Sequence, residues 1–345
     1  MITASYKKYI LNFKQPSGTS RGILKTKETW FVTLQEGTKQ GIGECGIFRG
    51  LSVDDRPDYE AKLEWTCQNI QLGLDVLLDE LIAFPSIQFG LEMAFKSLYS
   101  ENGFELFPSA FTKSTDNISI NGLIWMGSEA FMKQQIKEKT EAGFTCIKMK
   151  IGAIDFHTEI NLLKSIRKEF TSKDIELRVD ANGAFSYSEA LEKLKILSEF
   201  DLHSIEQPIK QGQIENMAVL CEQTPLPIAL DEELIGIFGV TQKQMLLQTI
   251  KPQYIILKPS LVGGFKGCDG WIEIAERLNI GWWITSALES NVGLNAIAQY
   301  TYMKHNEMPQ GLGTGSLFTN NFESPLVVKN GTLHYDNSKK WTFNL

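Results

Sequence analysis

Between about residue 118 and residue 319, short apolar runs alternate with amphipathic stretches, and this is the strongest regularity along the chain. The runs at 118–124, 145–151, 175–180, 203–206, 227–231, 254–258, 281–286 and 310–314 read as strands separated by helices, the pattern of repeated β-α units around a parallel sheet. Eight such units are what a closed (β/α) barrel takes. Nearer the N-terminus, residues 4–13, 29–35 and 39–45 alternate apolar and polar positions and predict a small antiparallel sheet. Apolar residues then recur at helical spacing over 57–81 (Leu63, Cys67, Ile70, Leu74, Leu77, Leu78, Leu81) and over 86–101 (Phe89, Met93, Phe95, Leu98). Between sheet and helices, residues 46–56 (GIFRGLSVDDR) read as a loop with Phe48 and Leu51 exposed, and Pro57 is placed to open the first helix. Past Phe318, Asn330-Gly331 between two short apolar runs predicts a hairpin, with the tail returning to the first domain. The expected fold is α/β: a modified (β/α) TIM-type barrel over 116–319, with an α+β capping domain over 1–115 completed by 320–345.

Composition narrows the function. The chain has 345 residues, 43% of them hydrophobic and 22% charged, enough for a large ordered core and two domains. A net charge of −7, with no basic run interleaved with aromatics, favours no nucleic acid partner. The five cysteines (Cys45, Cys67, Cys146, Cys221, Cys268) are scattered and never form a CxxC pair, which argues against a disulfide framework or a zinc site. The first 13 residues lack a signal peptide's apolar core, and no apolar run approaches the roughly 20 residues that span a bilayer. A cytoplasmic protein with no membrane partner is expected. Its oligomeric state is left open.

Polar residues interrupt the pattern where the apolar strands stop: Lys148 and Lys150 in CIKMKIG, Asp180 in LRVDANGAF, Glu206 in SIEQPI, Asp231 in IALDEEL and Lys258 in IILKPSLVGG. They recur at about one β-α unit, so they would stand at equal heights on consecutive strands and converge at the barrel's carboxyl end, where barrel enzymes keep their chemistry. Residues two apart on a strand share a face, so Lys148 and Lys150 both point inward while Met149 faces the helices. Two crowded ammonium groups would lower the pKa of one of them toward the range of a general base. The same alternation turns Asp231 inward and Glu232 away, and leaves Glu233 undecided. Three carboxylates without nearby histidine or cysteine make an all-oxygen site suited to Mg²⁺. His157, His203, His305 and His334 fall outside this set, so the base should be a lysine.

Each residue has a plainer reading alone. Asp180 before Ala-Asn-Gly could form a turn, Glu206 before Gln-Pro could end a strand, and the lysines could be solvated strand ends. Their order and phase together favour a proton-abstraction site. A Schiff-base aldolase using Lys258 or Lys150, or a barrel kept only for binding, are the rival classes.

At these residues the chain resembles the enolase superfamily, in particular its muconate-lactonising subgroup, with Lys-x-Lys on the second barrel strand and a lysine on the sixth. The resemblance spans nearly the whole chain. It implies a cap built from both termini and a seven- or eight-stranded modified barrel. It further implies Mg²⁺ held by Asp180, Glu206 and Asp231, with Mn²⁺ able to substitute. Lys150 is implied as the base, Lys148 as the neighbour that tunes it, and Lys258 as the group across a small carboxylate substrate. Within the subgroup, KPSLVGG (258–264), TSALESNVGL (285–294) and GLGTGSLF (311–318) are most similar to members that dehydrate 2-succinyl-6-hydroxy-2,4-cyclohexadiene-1-carboxylate to 2-succinylbenzoate in menaquinone biosynthesis. The Asp-x-Asp of dipeptide epimerases at the eighth strand is replaced by Gly313-Thr314-Gly315. Dehydration is therefore expected, with N-succinylamino acid racemisation or dipeptide epimerisation as the alternative. Ser286 and Ser290, the latter opening a helix, are expected either to bind a substrate carboxylate or, on the plainer reading, to cap the helix. Gly313 and Thr314 are expected to contact substrate, Phe48, Arg49 and Leu51 to close over it, and Arg21 to face the site from the cap.

Overall fold

One long hairpin organises the N-terminal third. Strands β1 (Thr3–Thr19) and β2 (Gly22–Glu36) pair antiparallel, with a register shift between Asn12 and Ser17, and β3 (Lys39–Gly46) adds to β2. The structure, a computed structural model, describes the backbone of residues 1–19 and 22–345 and the side chains outside 17–21. Arg21 lies outside the described residues. β1 and β2 run well past the stretches marked by apolar alternation, because backbone pairing continues where no buried face marks the sequence. Helices α1 (Tyr59–Gln68) and α3 (Pro85–Tyr99) pack against this sheet, and α2 (Leu74–Glu80) packs against α3. The continuous helix expected over 57–81 is cut between α1 and α2, where Gly73 takes a φ of 81° that glycine adopts at little cost. Gly43 on β3 and Gly90 on α3 let α3 lie directly on the sheet, since a Cβ on Gly43 would strike the Gly90 carbonyl.

The chain then forms β4 (Ile118–Ser119), β5 (Gly122–Ile124), α4 (Glu129–Glu141), β6 (Cys146–Lys150), α5 (Phe156–Glu169), β7 (Glu176–Asp180), α6 (Tyr187–Ser198) and β8 (Ser204–Glu206). It continues through α7 (Ile214–Gln223), β9 (Ile228–Leu230), α8 (Val240–Ile250), β10 (Tyr254–Leu257), α9 (Pro259–Val262), α10 (Gly264–Arg277), β11 (Gly281–Ile284) and α11 (Asn291–Tyr302). Strands β5 to β11 lie side by side in sequence order as one parallel sheet. Large apolar side chains of these strands and helices, among them Met149, Val179 and Ile205, form a single core between sheet and helices.

Two features of the barrel differ from the strand pattern read in the sequence. The run 118–124 splits into β4 and β5, and the eighth strand at 310–314 is reduced to isolated parallel bridges of Gln310 to Ile120 and Gly311 to Thr285. Those bridges still tie the two sides of the sheet together: Asn121 N–H donates to Gln310 O (2.9 Å) and Ser286 N–H to Gly311 O (3.0 Å). The result is the expected TIM-type barrel in modified form. The terminal hairpin, β12 (Leu326–Lys329) and β13 (Thr332–Tyr335), pairs with β4 rather than with the N-terminal sheet. Beyond it, Phe343 packs edge-on to Phe31 of β2, with ring centres 5.3 Å apart. No described helix is long and apolar enough to cross a membrane.

Candidate active site

Strand register brings the charged residues together. β6 and β7 pair with Lys150 opposite Asp180, and β7 and β8 pair with Asp180 opposite Glu206, so three strands deliver side chains at one height. Lys148 Nζ bridges Asp180 Oδ2 (2.9 Å) and Glu206 Oε2. Lys150 Nζ donates to the same Asp180 oxygen (2.9 Å) and to Asn182 Oδ1 (2.6 Å). Across the barrel, Lys258 Nζ pairs with Asp231 Oδ2. Asp180, Glu206 and Asp231 are all buried.

These pairings change the electrostatics expected from two adjacent lysines. Burial by itself lowers the pKa of Lys148, but Asp180 and Glu206 outweigh it and hold that pKa well above the ordinary lysine value. Lys148 is therefore a firmly charged ammonium, governed by the carboxylates across the strands rather than by Lys150. Burial would raise Asp180, yet Lys148 and Lys150 hold it far below the usual carboxylate range. Glu206 is pushed up by burial and by the neighbouring Asp180.

Strand alternation misplaces Glu232. β9 ends at Leu230 and residues 232–234 turn in a 3₁₀ helix, which cancels the two-residue period. Glu232 consequently lines the cavity, where its Oε1 accepts from Asn182 Nδ2 (3.1 Å). Glu233 turns the other way, accepting from Gln207 Nε2 (3.0 Å) and Gly212 N–H (2.9 Å). Gln207 and Asn182 take positive φ angles of 41° and 45° at the ends of β8 and β7. Both follow metal-ligand candidates closely in sequence, and neither stands out from composition or period.

One cavity joins this charged side to a less polar wall. It is lined by Lys148, Lys150, Asp180, Glu232 and Lys258 from β6 to just past β10, and by Ser286, Leu288, Gly313 and Thr314 from β11 and the closing segment, with Trp125, Leu317, Phe48 and Leu51 also in its lining. Phe48 packs onto a cluster containing Leu11, Phe13, Leu288 and Phe318, which seats the 46–56 loop against the barrel. Arg49 turns outward to Glu28 and Asp55. The four histidines lie outside the cavity wall.

Ser290 is not placed for substrate. It is fully buried, and its N–H (2.9 Å) and hydroxyl (2.5 Å) both donate to Glu44, which also accepts from Gly293 N–H (2.8 Å). A carboxylate from β3 thus occupies the positive end of α11, the position that the sequence reading assigned to a substrate carboxylate. Ser286 does reach the cavity, but its hydroxyl donates to Glu289 (2.7 Å). Neither Glu44 nor Glu289 carries a pattern in the sequence, because each acts across a domain or loop boundary that only the fold creates.

Lysine ammoniums sit between the carboxylates in this arrangement, and among the described residues no three His, Cys, Asp or Glu side chains converge as a ready-formed metal cluster. Glu206 Oε1 is nevertheless buried without a hydrogen-bond partner.

A parallel barrel with lysine and carboxylate side chains at the carboxyl ends of its strands defines a class, and comparison with known proteins agrees with it. The chain belongs to the enolase superfamily: the family described as enolase C-terminal domain-like matches residues 131–338, and the family described as MenC, N-terminal domain, matches residues 1–98. It is 47% identical to the o-succinylbenzoate synthase of Desulfotalea psychrophila over 95% of this chain and 98% of that protein. The crystal structure of MenC from the same organism superposes with a TM-score of 0.86 at 44% identity, covering 96% of this chain and 99% of that one. The L-Ala-D/L-Glu epimerase of Bacillus subtilis is more distant, 27% identical over 66% of this chain and 58% of that protein. The fold alone is shared with the muconate lactonizing enzyme from Pseudomonas fluorescens, with a TM-score of 0.81 at 20% identity over 99% of this chain and 96% of that one.

Proposed function

We propose that this chain is an o-succinylbenzoate synthase of menaquinone biosynthesis, a lyase that removes water from 2-succinyl-6-hydroxy-2,4-cyclohexadiene-1-carboxylate. The observation that carries this reading is the 47% identity, over 95% of the chain, to a synthase of that name. The ring of lysines and carboxylates supplies a physical reason for the chemistry. Asp180, Glu206 and Asp231 are the residues that would hold Mg²⁺, or Mn²⁺ in its place: they form an all-oxygen set, and Glu206 Oε1 is buried with no partner. When bound, the ion supplies positive charge for the second negative charge that builds on the substrate carboxylate as its α-proton leaves.

The rest of the work falls to the chain. Lys150 is the base, held in place by Asp180 and Asn182. It takes the α-proton to give an enediolate, and Lys148 keeps a fixed positive charge beside it. The electron pair of the former C–H bond then forms a ring double bond as the adjacent C–O bond breaks. Lys150 returns its proton to the departing hydroxyl on the same face, water leaves, and the ring becomes aromatic. Lys258 contributes positive charge from the opposite side of the barrel. Residues 1–115, with the tail 320–345, act as the cap, and Phe48 and Leu51 exclude water from the small carboxylate substrate.

The test is turnover. Mg²⁺-loaded protein should consume the cyclohexadiene and produce 2-succinylbenzoate, lose activity in chelator and regain it with Mg²⁺. Folded, metal-loaded protein without turnover refutes the assignment. A second reading, racemisation of N-succinylamino acids or epimerisation of dipeptides, draws support from Lys150 at the end of β6 and Lys258 just past the end of β10, on strands four apart across the ring. It predicts α-proton exchange with loss of configuration when those compounds are incubated in D₂O.

A further inference from the structure

Gln207 stands one residue past Glu206 and uses every hydrogen-bonding group it has to tie three strand ends together. It is fully buried, at a backbone φ of 41° that residues bearing a side chain adopt only at a cost in energy. From the end of β8 its side chain reaches the turn after β9. There Oε1 accepts from Asp231 N–H (3.3 Å) and Glu233 N–H (3.4 Å), and Nε2 donates to Glu233 Oε2 (3.0 Å) and to Ile209 O (3.1 Å). Its backbone N–H donates to Ala229 O (2.9 Å) on β9, and its carbonyl accepts from Gly183 N–H (2.6 Å), three residues past Asp180. Glu233, also buried, reaches in the opposite direction: its second oxygen, Oε1, accepts from Gly212 N–H (2.9 Å) in the loop after β8. The loop after β7 closes directly on that same loop, since a Cβ at Gly183 would lie 2.8 Å from Lys210 Cα. Asp180, Glu206 and Asp231 are thus each within three residues of one cross-brace, and neither Gln207 nor Glu233 lines the cavity.

We infer that Gln207 and Glu233 are positioning residues whose brace fixes the spacing of Asp180, Glu206 and Asp231, and so shifts the preference of the cation site toward Mg²⁺ and away from a larger ion of the same charge, Ca²⁺. The inference rests on the reading of those three carboxylates as the cation site. Mg²⁺ demands near-octahedral oxygens at about 2.0–2.1 Å, whereas Ca²⁺ accepts irregular sets of about six to eight at 2.3–2.6 Å, so the choice between them follows from how firmly the ligands are held. Three carboxylates repel one another, and strand ends free to move would relax toward the wider arrangement that suits the larger ion. Gln207 opposes that movement with an uncharged amide. Glu233 holds the amide in place while spending its own charge on Gly212 N–H and Gln207, away from the cavity.

Calorimetric titration of the full chain with Mg²⁺ and, separately, with Ca²⁺ tests this without substrate. Gln207→Met, similar in volume but without the amide, should weaken Mg²⁺ binding about 10- to 100-fold, the range of a lost outer partner of a metal ligand, and Ca²⁺ binding by less than about threefold. Glu233→Gln should lower the Mg²⁺-to-Ca²⁺ affinity ratio too, because one amide oxygen replaces two that accept from different partners. Exchanging the pair, Gln207→Glu with Glu233→Gln, keeps the total charge and restores an amide-to-carboxylate bond between the two positions. Its affinity ratio should return to within about threefold of wild type. Equal losses for both ions in Gln207→Met, or an unchanged ratio there, would overturn the inference, since the residue would then act on folding or on charge alone. An exchanged pair no more selective than Glu233→Gln would overturn it as well. Should Gln207→Met not fold, as read by circular dichroism, Glu233→Gln and the exchanged pair decide alone. Wild-type protein that binds no Mg²⁺ would sink the cation site and the inference with it, a failure told apart from the others because it appears in the unaltered chain.

Discussion

The two sides of the cavity are built on different principles. From β6 to β10 the wall is ionic: each lysine that enters it is paired with a carboxylate from a neighbouring strand. From β11 through the closing segment at 310–316 it is made of hydroxyls, glycines and apolar side chains, and the carboxylates that organise it, Glu289 and Glu44, are buried behind it. The ionic wall suits charge movement on a bound acid, since its groups are held in place before reaction. The opposite wall suits selection, because its hydrogen-bond polarity and its shape are set by residues that do not touch the ligand.

Changes on the ionic wall should be the most damaging. Glu206→Gln removes one charge from the proposed cation site and leaves Lys148 with one partner fewer. Turnover should fall by about 10³-fold, within the range of lost metal and electrostatic assistance, and calorimetry should show weakened Mg²⁺ binding. Retained affinity would remove Glu206 from the ligand set. Next in size is Glu44→Ala, which strips partners from Ser290, Gly293 and Thr29 in a buried junction. A loss of about 3 kcal/mol in stability is expected, read from denaturant unfolding, and a change under 0.5 kcal/mol would show that the junction relaxes. Asn182→Ala should cost about 10- to 100-fold in kcat, because it releases Lys150 and also removes the amide that holds Glu232. An unchanged kcat would show that Asp180 alone positions the base.

The smallest effect concerns a second carboxylate of the cap. Glu92 of α3 accepts from Phe265 N–H and Lys266 N–H (3.0 Å) at the start of α10, and burial raises its pKa to about 7 from an ordinary 4.5. The native state therefore binds this proton more tightly than the unfolded chain does. The associated stability is fully present below about pH 4.5 and is lost as pH rises through about 7, by about 3 kcal/mol in all. Glu92→Gln cannot titrate there, so wild type should lose about that much relative to the variant between pH 4.5 and pH 8 in unfolding titrations. A pH-independent difference would contradict the assignment.

The contrast between the walls also decides what the sequence could reveal. Lys148, Lys150, Asp180, Glu206, Asp231 and Lys258 were legible because a strand period and a β-α repeat fix where such residues go, and the structure brings them to one cavity or directly beneath it. The period fails at the first irregular turn, which is why Glu232 reaches the cavity against expectation. Ser290 was read as a helix N-terminus open to an anion, and it is one, but the anion is Glu44 from a strand 246 positions earlier. No local pattern encodes that distance. The eighth strand was legible as apolar residues and glycines, yet only two of its positions bridge to the neighbouring strands.

The division of labour between the walls is tested most directly by measuring kcat for the cyclohexadiene in Lys150→Ala and Thr314→Val side by side, with Mg²⁺ saturating and both variants shown to be folded. Lys150→Ala should lose about 10³- to 10⁴-fold, the scale of a missing general base, whereas Thr314→Val should keep kcat within about tenfold of wild type and express its defect in KM. Turnover surviving in Lys150→Ala, or lost equally in both variants, would contradict the account.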